Sequence, residues 1–396
     1  MTFSSPGSNM ADDTAVAVYY GPLPWFQDQL KRKQTTDLLG LAFELDEASR
    51  RHIHVIAGQE APTEEPSARP RHVTAESGDY ASLSEHVITN FMTLVRMIRP
   101  MHLHLHNPPA HVYAQLEREF TVKVMRYEYP RANRDLLIRF RDNFQAHLVG
   151  QSAVKESILA ALYPLTTRRR AKPVVLMFYG PSGVGKTETA QLINSLLGGA
   201  LMRKQFSMFH NEKFASYLFG GTHSEASFAR DLLDRESGVI LIDEFDKANS
   251  VFHSAFYQLF DGGIFEDKNY LVNVGPAIIV CTSNYGTEDE IRAALGEALY
   301  SRFDSLVQFK PLSHDEIRQV IDRLVNDRFS NLESDERDQL DLAAVKALLY
   351  PLAGNSGNVR RLGKLADGVI SLLLVRALLS DPAQIEVAPH IEDAAT

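Results

Sequence analysis

Gly180-Pro181-Ser182-Gly183-Val184-Gly185-Lys186-Thr187 satisfies the pattern G-x-x-x-x-G-K-[ST] at every fixed position. Immediately before it, residues 173–179 form a continuous apolar run of strand length, the mark of a strand buried on both faces of an α/β sheet. A helical pattern follows. Strand, glycine-rich turn and helix in that order are the context in which the motif carries chemistry. The glycines let backbone N–H groups close round phosphate oxygens at a helix N-terminus, which favours anions. Lys186 then offers a point charge to the β- and γ-phosphates of ATP, and Thr187 a hydroxyl to Mg²⁺. A chance glycine-rich turn is the bland alternative, and three elements in the right order leave it little room.

Further along, Val239-Ile240-Leu241-Ile242-Asp243-Glu244 is a second buried run, ending in two acids at the strand edge where open α/β sheets place their ligands. Asp243 is placed to hold hydrated Mg²⁺ and Glu244 to polarise the attacking water. Paired acids are common on surfaces; their weight comes from the complete phosphate loop upstream. A third run, Ile278-Ile279-Val280-Cys281-Thr282-Ser283-Asn284, ends in a neutral amide. Asn284 can orient the water without adding charge, and a plain turn asparagine is the other reading. A fourth run spans residues 306–309. After Pro311 the pattern turns helical: Ser313-His314-Asp315-Glu316 has the form of a capping box. Helices are expected there, near residues 342–349 and over residues 359–379.

These pieces, in this order and spacing, resemble the AAA+ ATPases, and most nearly the second ATPase module of Clp-type unfoldases and disaggregases. The matching text includes Gly185-Lys186-Thr187-Glu188, Leu241-Ile242-Asp243-Glu244-Phe245-Asp246-Lys247-Ala248 and Thr282-Ser283-Asn284. It continues with Ser301-Arg302-Phe303-Asp304 and Val307-Gln308-Phe309-Lys310-Pro311-Leu312, and upstream with His147-Leu148-Val149-Gly150-Gln151. The resemblance implies that Val149 and Gly150 lie against adenine and that Glu188 joins the nucleotide-binding residues. It also implies that Arg302 is an arginine finger reaching the ATP of a neighbouring subunit. Arg360, with Arg361 as the second choice, would sense the γ-phosphate from a helical lid. A helix-capping surface arginine is the other reading of Arg302, and a basic helix surface that of the pair. Rings, most often hexamers, come with the family. One element departs from it: between the phosphate loop and the acidic strand, Clp-type unfoldases carry an aromatic-hydrophobic loop that grips substrate. Here the stretch is Leu218-Phe219-Gly220-Gly221-Thr222-His223-Ser224-Glu225-Ala226-Ser227-Phe228, with a small, polar tip.

The first third of the chain lies outside that resemblance. Residues 15–20, 52–56, 101–106 and 121–127 read as strands, residues 25–50, 83–98 and 110–120 as helices, and residues 59–79 as an exposed loop. That order suggests a small, mainly parallel α/β domain. His52 and His54, then His102, His104 and His106, alternate at period two and so share sheet faces; a polar half-exposed face and a Zn²⁺ or acid–base site are the two readings. Tyr19, Tyr20, Pro22, Trp25 and Phe26 suit either a recognition patch or core packing. Arg168-Arg169-Arg170-Ala171-Lys172 suits a contact with nucleic acid or an acidic partner, but reads more readily as a solvated loop before the first ATPase strand.

Composition closes several doors. The chain has 396 residues, with 41 Lys and Arg against 50 Asp and Glu, so its net charge of −9 speaks against a nucleic-acid-coating role. One cysteine, Cys281, excludes an intramolecular disulfide framework and a multi-cysteine zinc site. No apolar run has membrane-spanning length, and residues 1–13 lack the basic and apolar regions of a signal peptide. The expectation is a cytoplasmic α/β protein with a flexible arm (1–13) and an N-terminal α/β domain (14–130). An AAA+ P-loop core (131–310), a helical lid (311–380) and a tail (381–396) follow. Its expected work is ATP-driven remodelling of a protein recognised through residues 14–130. The alternative is a nucleotide-controlled switch or scaffold that assembles on ATP.

Overall fold

The computed structural model describes residues 14–52, 69–167, 170–208, 211–351 and 358–379. The N-terminal sheet is five-stranded and parallel throughout: β1 (Ala15–Tyr20), β2 (Thr36–Asp37), β3 (His72–Ala75), β4 (His102–His106) and β5 (Val122–Arg126), in the order β2-β3-β4-β1-β5. One face is fully dressed. Val16, Val18, Val73, Leu103 and Leu105 pack under helices carrying Phe91, Leu94, Val95, Val112 and Leu116. On the other face Tyr19 and Phe26 form a small core with Leu30, so this pair packs as core rather than as a recognition patch.

Several expectations for this region need correcting. Residues 25–50 are two helices, Leu23–Leu30 and Leu38–His52, parted by a polar turn and the two-residue β2. The span read as a loop contains β3, whose only apolar residues are Val73 and Ala75; pairing with β4 makes it a strand. The helix over 83–98 breaks at Asn90, where the Asn90 amide donates to the His86 carbonyl; helices Glu85–Thr89 and Phe91–Ile98 flank it. In the strand expected at 52–56, His52 instead ends a helix, and residues 53–56 lie outside the described residues.

The second sheet is built from β6 (Val174–Tyr179), β7 (Met202–Gln205), β8 (Val239–Asp243), β11 (Ile278–Thr282) and β12 (Ser305–Gln308), parallel and ordered β12-β6-β11-β8-β7; β9 (Ile264–Glu266) and β10 (Leu271–Asn273) pair as a separate antiparallel hairpin. Every residue of β6, β8 and β11 is buried. Their side chains divide by period two between two cores: Val175, Met177, Ile240, Ile242 and Ile279 face one layer, Val174, Leu176, Val239, Leu241 and Val280 the other. Each such side chain contributes about 1.5–3 kcal/mol by leaving water. The chain leaves β6 for the far edge, returns through β8 and β11, and crosses to β12 on the opposite side of β6. That reversal opens a crevice at the carboxyl end of β6, where α/β sheets bind ligands. β7 carries no strand signature of its own, because Met-Arg-Lys-Gln offers one apolar residue on an edge strand.

Helices His314–Asn331, Leu342–Leu349 and Val359–Leu378 pack through Ile317, Val320, Ile321, Val345, Leu349, Leu362 and Ile370. The Ser313–Glu316 capping box forms in both directions. Leu148 belongs to the core under the second sheet and its neighbour Val149 to the core of this helical layer, so two adjacent residues strap the layers together. Gln151 reinforces the strap by bonding both the carbonyl and the amide of Lys310. Among the described residues no helix is long and apolar enough to cross a membrane.

Candidate nucleotide site

At the carboxyl end of β6 lies a cleft of about 610 Å³. Its walls gather residues far apart in sequence: Val149, Ser182 to Glu188, Asp243, Glu244, Asn284 and Arg360 all line it, with Arg203 and Gln205 from β7. Gly183 and Gly185 sit at φ +76° and +103°, conformations that side-chain-bearing residues rarely adopt. Gly183 has a second reason to lack a side chain. An added Cβ would stand 2.1 Å from the Asn358 side-chain oxygen, which caps helix Val359–Leu378. The Val359 amide donates to the Gly183 carbonyl (3.0 Å) and the Asn358 amide to the Ser182 hydroxyl (3.3 Å), tying the helical layer to the phosphate-loop sequence.

Lys186 opens helix Lys186–Leu197 and is buried. Its ammonium donates to the carbonyls of Gly180 (2.6 Å) and Pro181 (2.7 Å) and to the Asn284 oxygen (3.3 Å). Burial pushes its pKa down to about 8. Because Asn284 accepts through its oxygen, its NH₂ is left to donate.

The two acids are held by one hydroxyl. Thr282 donates to Asp243 Oδ1 (2.5 Å) and accepts the Glu244 amide (2.9 Å). Thr187 also donates to Asp243 Oδ1 (3.5 Å). A hydroxyl and a carboxylate side by side are the hard oxygen donors that suit Mg²⁺. Glu244 has φ +57°, a left-handed conformation that costs a non-glycine residue about 1–2 kcal/mol. Such strain persists only where the surroundings impose it. Hydrogen bonds from Ser207 and from Gln205 (3.0 Å) hold the Glu244 carboxyl below the usual range and so favour its anion.

Arg302 is absent from these walls. Its guanidinium bonds Asp261 (2.8 Å) and the Ala298 carbonyl and lies 4.6 Å from the centre of the Tyr257 ring. Arg361 is also not among the lining residues, whereas Arg360 is. Gly150 takes φ +68° against Glu316 beside the cleft rather than in its wall. Arg203 and Gln205 went unread in the sequence. Their signal was an Arg-x-Gln alternation on a strand that composition alone does not reveal.

Residues 171–331 match the family model described as AAA domain (Cdc48 subfamily). They are an AAA+ ATPase domain. The chaperone protein ClpB of Chlamydia pneumoniae is 30% identical over 222 residues, 47% of this chain and 26% of that protein. The ATP-dependent Clp protease ATP-binding subunit ClpE of Streptococcus pneumoniae is 28% identical over 233 residues, 50% of this chain and 31% of that protein. The chain thus spans between a quarter and a third of the length of these relatives. In fold it is similar to the Saccharomyces cerevisiae Hsp104–ADP complex, with a TM-score of 0.50 and 21% identity, over 62% of this chain and 49% of that one. The AAA+ domain resembles the Clp-type disaggregase modules.

Outside the AAA+ cleft, the histidines of β4 meet His72 of β3. His72 and His102 stack 4.6 Å apart, His104 bonds His72 and the Tyr19 hydroxyl (3.2 Å each), and burial pushes His104 down to about 4. The rings engage one another, and among the described residues no group of three or more His, Cys, Asp or Glu has metal-holding geometry. Arg170 bonds the Pro173 carbonyl and Asp304, which gives it a structural task at the start of β6; Arg168 and Arg169 lie outside the described residues. The loop after helix Asn211–Phe219 is tied at its start. Lys268 donates its amide to the Phe219 carbonyl (3.0 Å), and the Asn269 side chain donates to the Gly221 carbonyl (3.2 Å). The Asn269 carbonyl in turn accepts the amide of Ala110, the first residue of a helix packed on the N-terminal sheet (2.8 Å).

Proposed function

We propose that this chain binds ATP with Mg²⁺ in the cleft, hydrolyses it, and uses the energy to remodel a protein or protein complex recognised through residues 14–130. The observation that carries the reading is the convergence of residues 182–188, 243–244, 284 and 360 on one crevice. Gly180 to Thr187 cradle the phosphates, and Lys186 neutralises the β/γ end. Thr187 and Asp243 hold Mg²⁺, which when bound draws charge from the phosphate oxygens. Glu244, kept ionised by Ser207 and Gln205, polarises the attacking water, and Asn284 steers it with a neutral donor. Arg360 reaches the site from the helical layer, Val149 and Gly150 sit toward the base, and Glu188 completes the wall. Arg302 serves the site of a neighbouring copy in a ring, a hexamer by likeness to Clp-type proteins, in the cytoplasm. Steady phosphate release from ATP by the purified chain, lost in Lys186→Ala together with nucleotide binding, tests this reading. Unchanged ATP affinity in that variant would contradict it.

A second reading, a nucleotide-controlled switch that does not thread polypeptide, is favoured by the loop over residues 220–227. Phe228 is buried and Phe219 closes the preceding helix, so the aromatic pair flanks the loop without forming its tip. Thr222 bonds both Ser224 and Glu225, and the relay through Asn269 and Ala110 ties the loop to the N-terminal domain. Polar side chains of this kind suit one defined partner better than an arbitrary unfolded chain. With ATP and the assembled protein, a stable fluorescent protein carrying a disordered tail should keep its fluorescence. An ATP-dependent loss that disappears on changing Thr222 to Glu225 would restore the threading reading.

A further inference from the structure

Strand β7 sends alternate side chains to opposite sides of its sheet. Lys204 turns one way and pairs with Asp231 (2.6 Å), whereas Arg203 and Gln205 turn toward the two acids at the end of β8. Arg203 meets Asp243 with two N–H groups on the same oxygen, Nε at 3.0 Å and a terminal nitrogen at 2.5 Å. The Asp243 oxygens are thereby fully committed: Oδ1 to the hydroxyls of Thr282 and Thr187, Oδ2 to the guanidinium. The carboxylate is 6% exposed and the Arg203 side chain 39% exposed within the cleft wall. A carboxylate so buried needs a cation, and the geometry supplies one from the neighbouring strand.

We propose that Arg203 is a positioning residue that competes with Mg²⁺ for Asp243, so that the metal enters only with a nucleotide whose phosphates give the guanidinium another anion. This rests on the nucleotide-site reading above. Two cations have a claim on one buried carboxylate, and the first is already seated with charge-assisted, two-donor geometry. Phosphate is the other anion that a guanidinium fork fits well. The arrangement makes metal and nucleotide binding interdependent and keeps free Mg²⁺ from occupying Asp243 alone.

The test is binding rather than turnover. A fluorescent ADP analogue at fixed concentration is titrated with Mg²⁺ on the full chain, for wild type, Arg203→Met and Arg203→Lys. Removing the charge-assisted bonds should lower the Mg²⁺ midpoint roughly tenfold or more in Arg203→Met. Metal-free affinity for the analogue should change little, and Arg203→Lys, which keeps the charge without the fork, should fall between. An unchanged midpoint in both folded variants would overturn the proposal. So would an equal loss of analogue affinity with and without Mg²⁺, which would make Arg203 a plain phosphate ligand. If Arg203→Met fails to fold by circular dichroism, the Arg203→Lys midpoint decides alone, a fall supporting and no change refuting. Failure of wild type to bind the analogue at all would instead strike the nucleotide-site reading.

Discussion

Arg302→Ala is expected to lower ATP turnover by about 10³–10⁵-fold, equivalent to roughly 4–7 kcal/mol of barrier, while each subunit still binds nucleotide. Arg302 does not line the cleft of its own chain, and Asp261, the Ala298 carbonyl and the Tyr257 ring hold it elsewhere on the AAA+ domain. Those contacts pre-set the guanidinium, so little rotamer freedom remains to be lost when it meets a neighbour's phosphates. Mixing Arg302→Ala with Lys186→Ala should restore part of the activity, because one subunit contributes the finger and the other the intact pocket. Absence of recovery in rings shown to be mixed would argue against action between subunits.

Glu244→Gln should bind ATP normally and almost cease to hydrolyse it. The phosphate cradle and the Thr187–Asp243 pair are untouched, and the amide keeps the shape that the left-handed backbone and Thr282 impose. What is lost is the anion that Ser207 and Gln205 stabilise. A carboxylate held below the usual range is suited to polarising a water throughout the neutral pH range. Its activity should therefore fall only on acidification through that depressed pKa, and not between pH 6 and 8 on account of Glu244. The variant is expected to accumulate as an ATP-bound oligomer on a sizing column; turnover near wild type would remove Glu244 from its role.

Much of the second sheet was legible because its strands are apolar on both faces: β6, β8 and β11 contain almost no polar residue before their functional ends. The same rule hid β7. As an edge strand it carries Arg203, Lys204 and Gln205, and its identity depends on pairing with β8, which no local pattern records. β3 escaped notice for a like reason, lying in a polar stretch and owing its form to β4. The strap at Leu148 and Val149 could be placed by resemblance, but its division between two cores is a tertiary fact. The histidines of β4 were expected on one face, and the chemistry of that face turns on His72 and Tyr19, which come from other strands.

If each AAA+ cleft hydrolyses ATP and is completed by Arg302 from a second copy, turnover depends on assembly. Phosphate release per subunit, measured with Mg²⁺ and saturating ATP across a wide range of protein concentration, tests it most directly. The rate per subunit is expected to rise with concentration and to level off as sedimentation shows the oligomer filling. A rate per subunit that is constant down to concentrations where the chain is monomeric, or hydrolysis absent from the full oligomer, would contradict it.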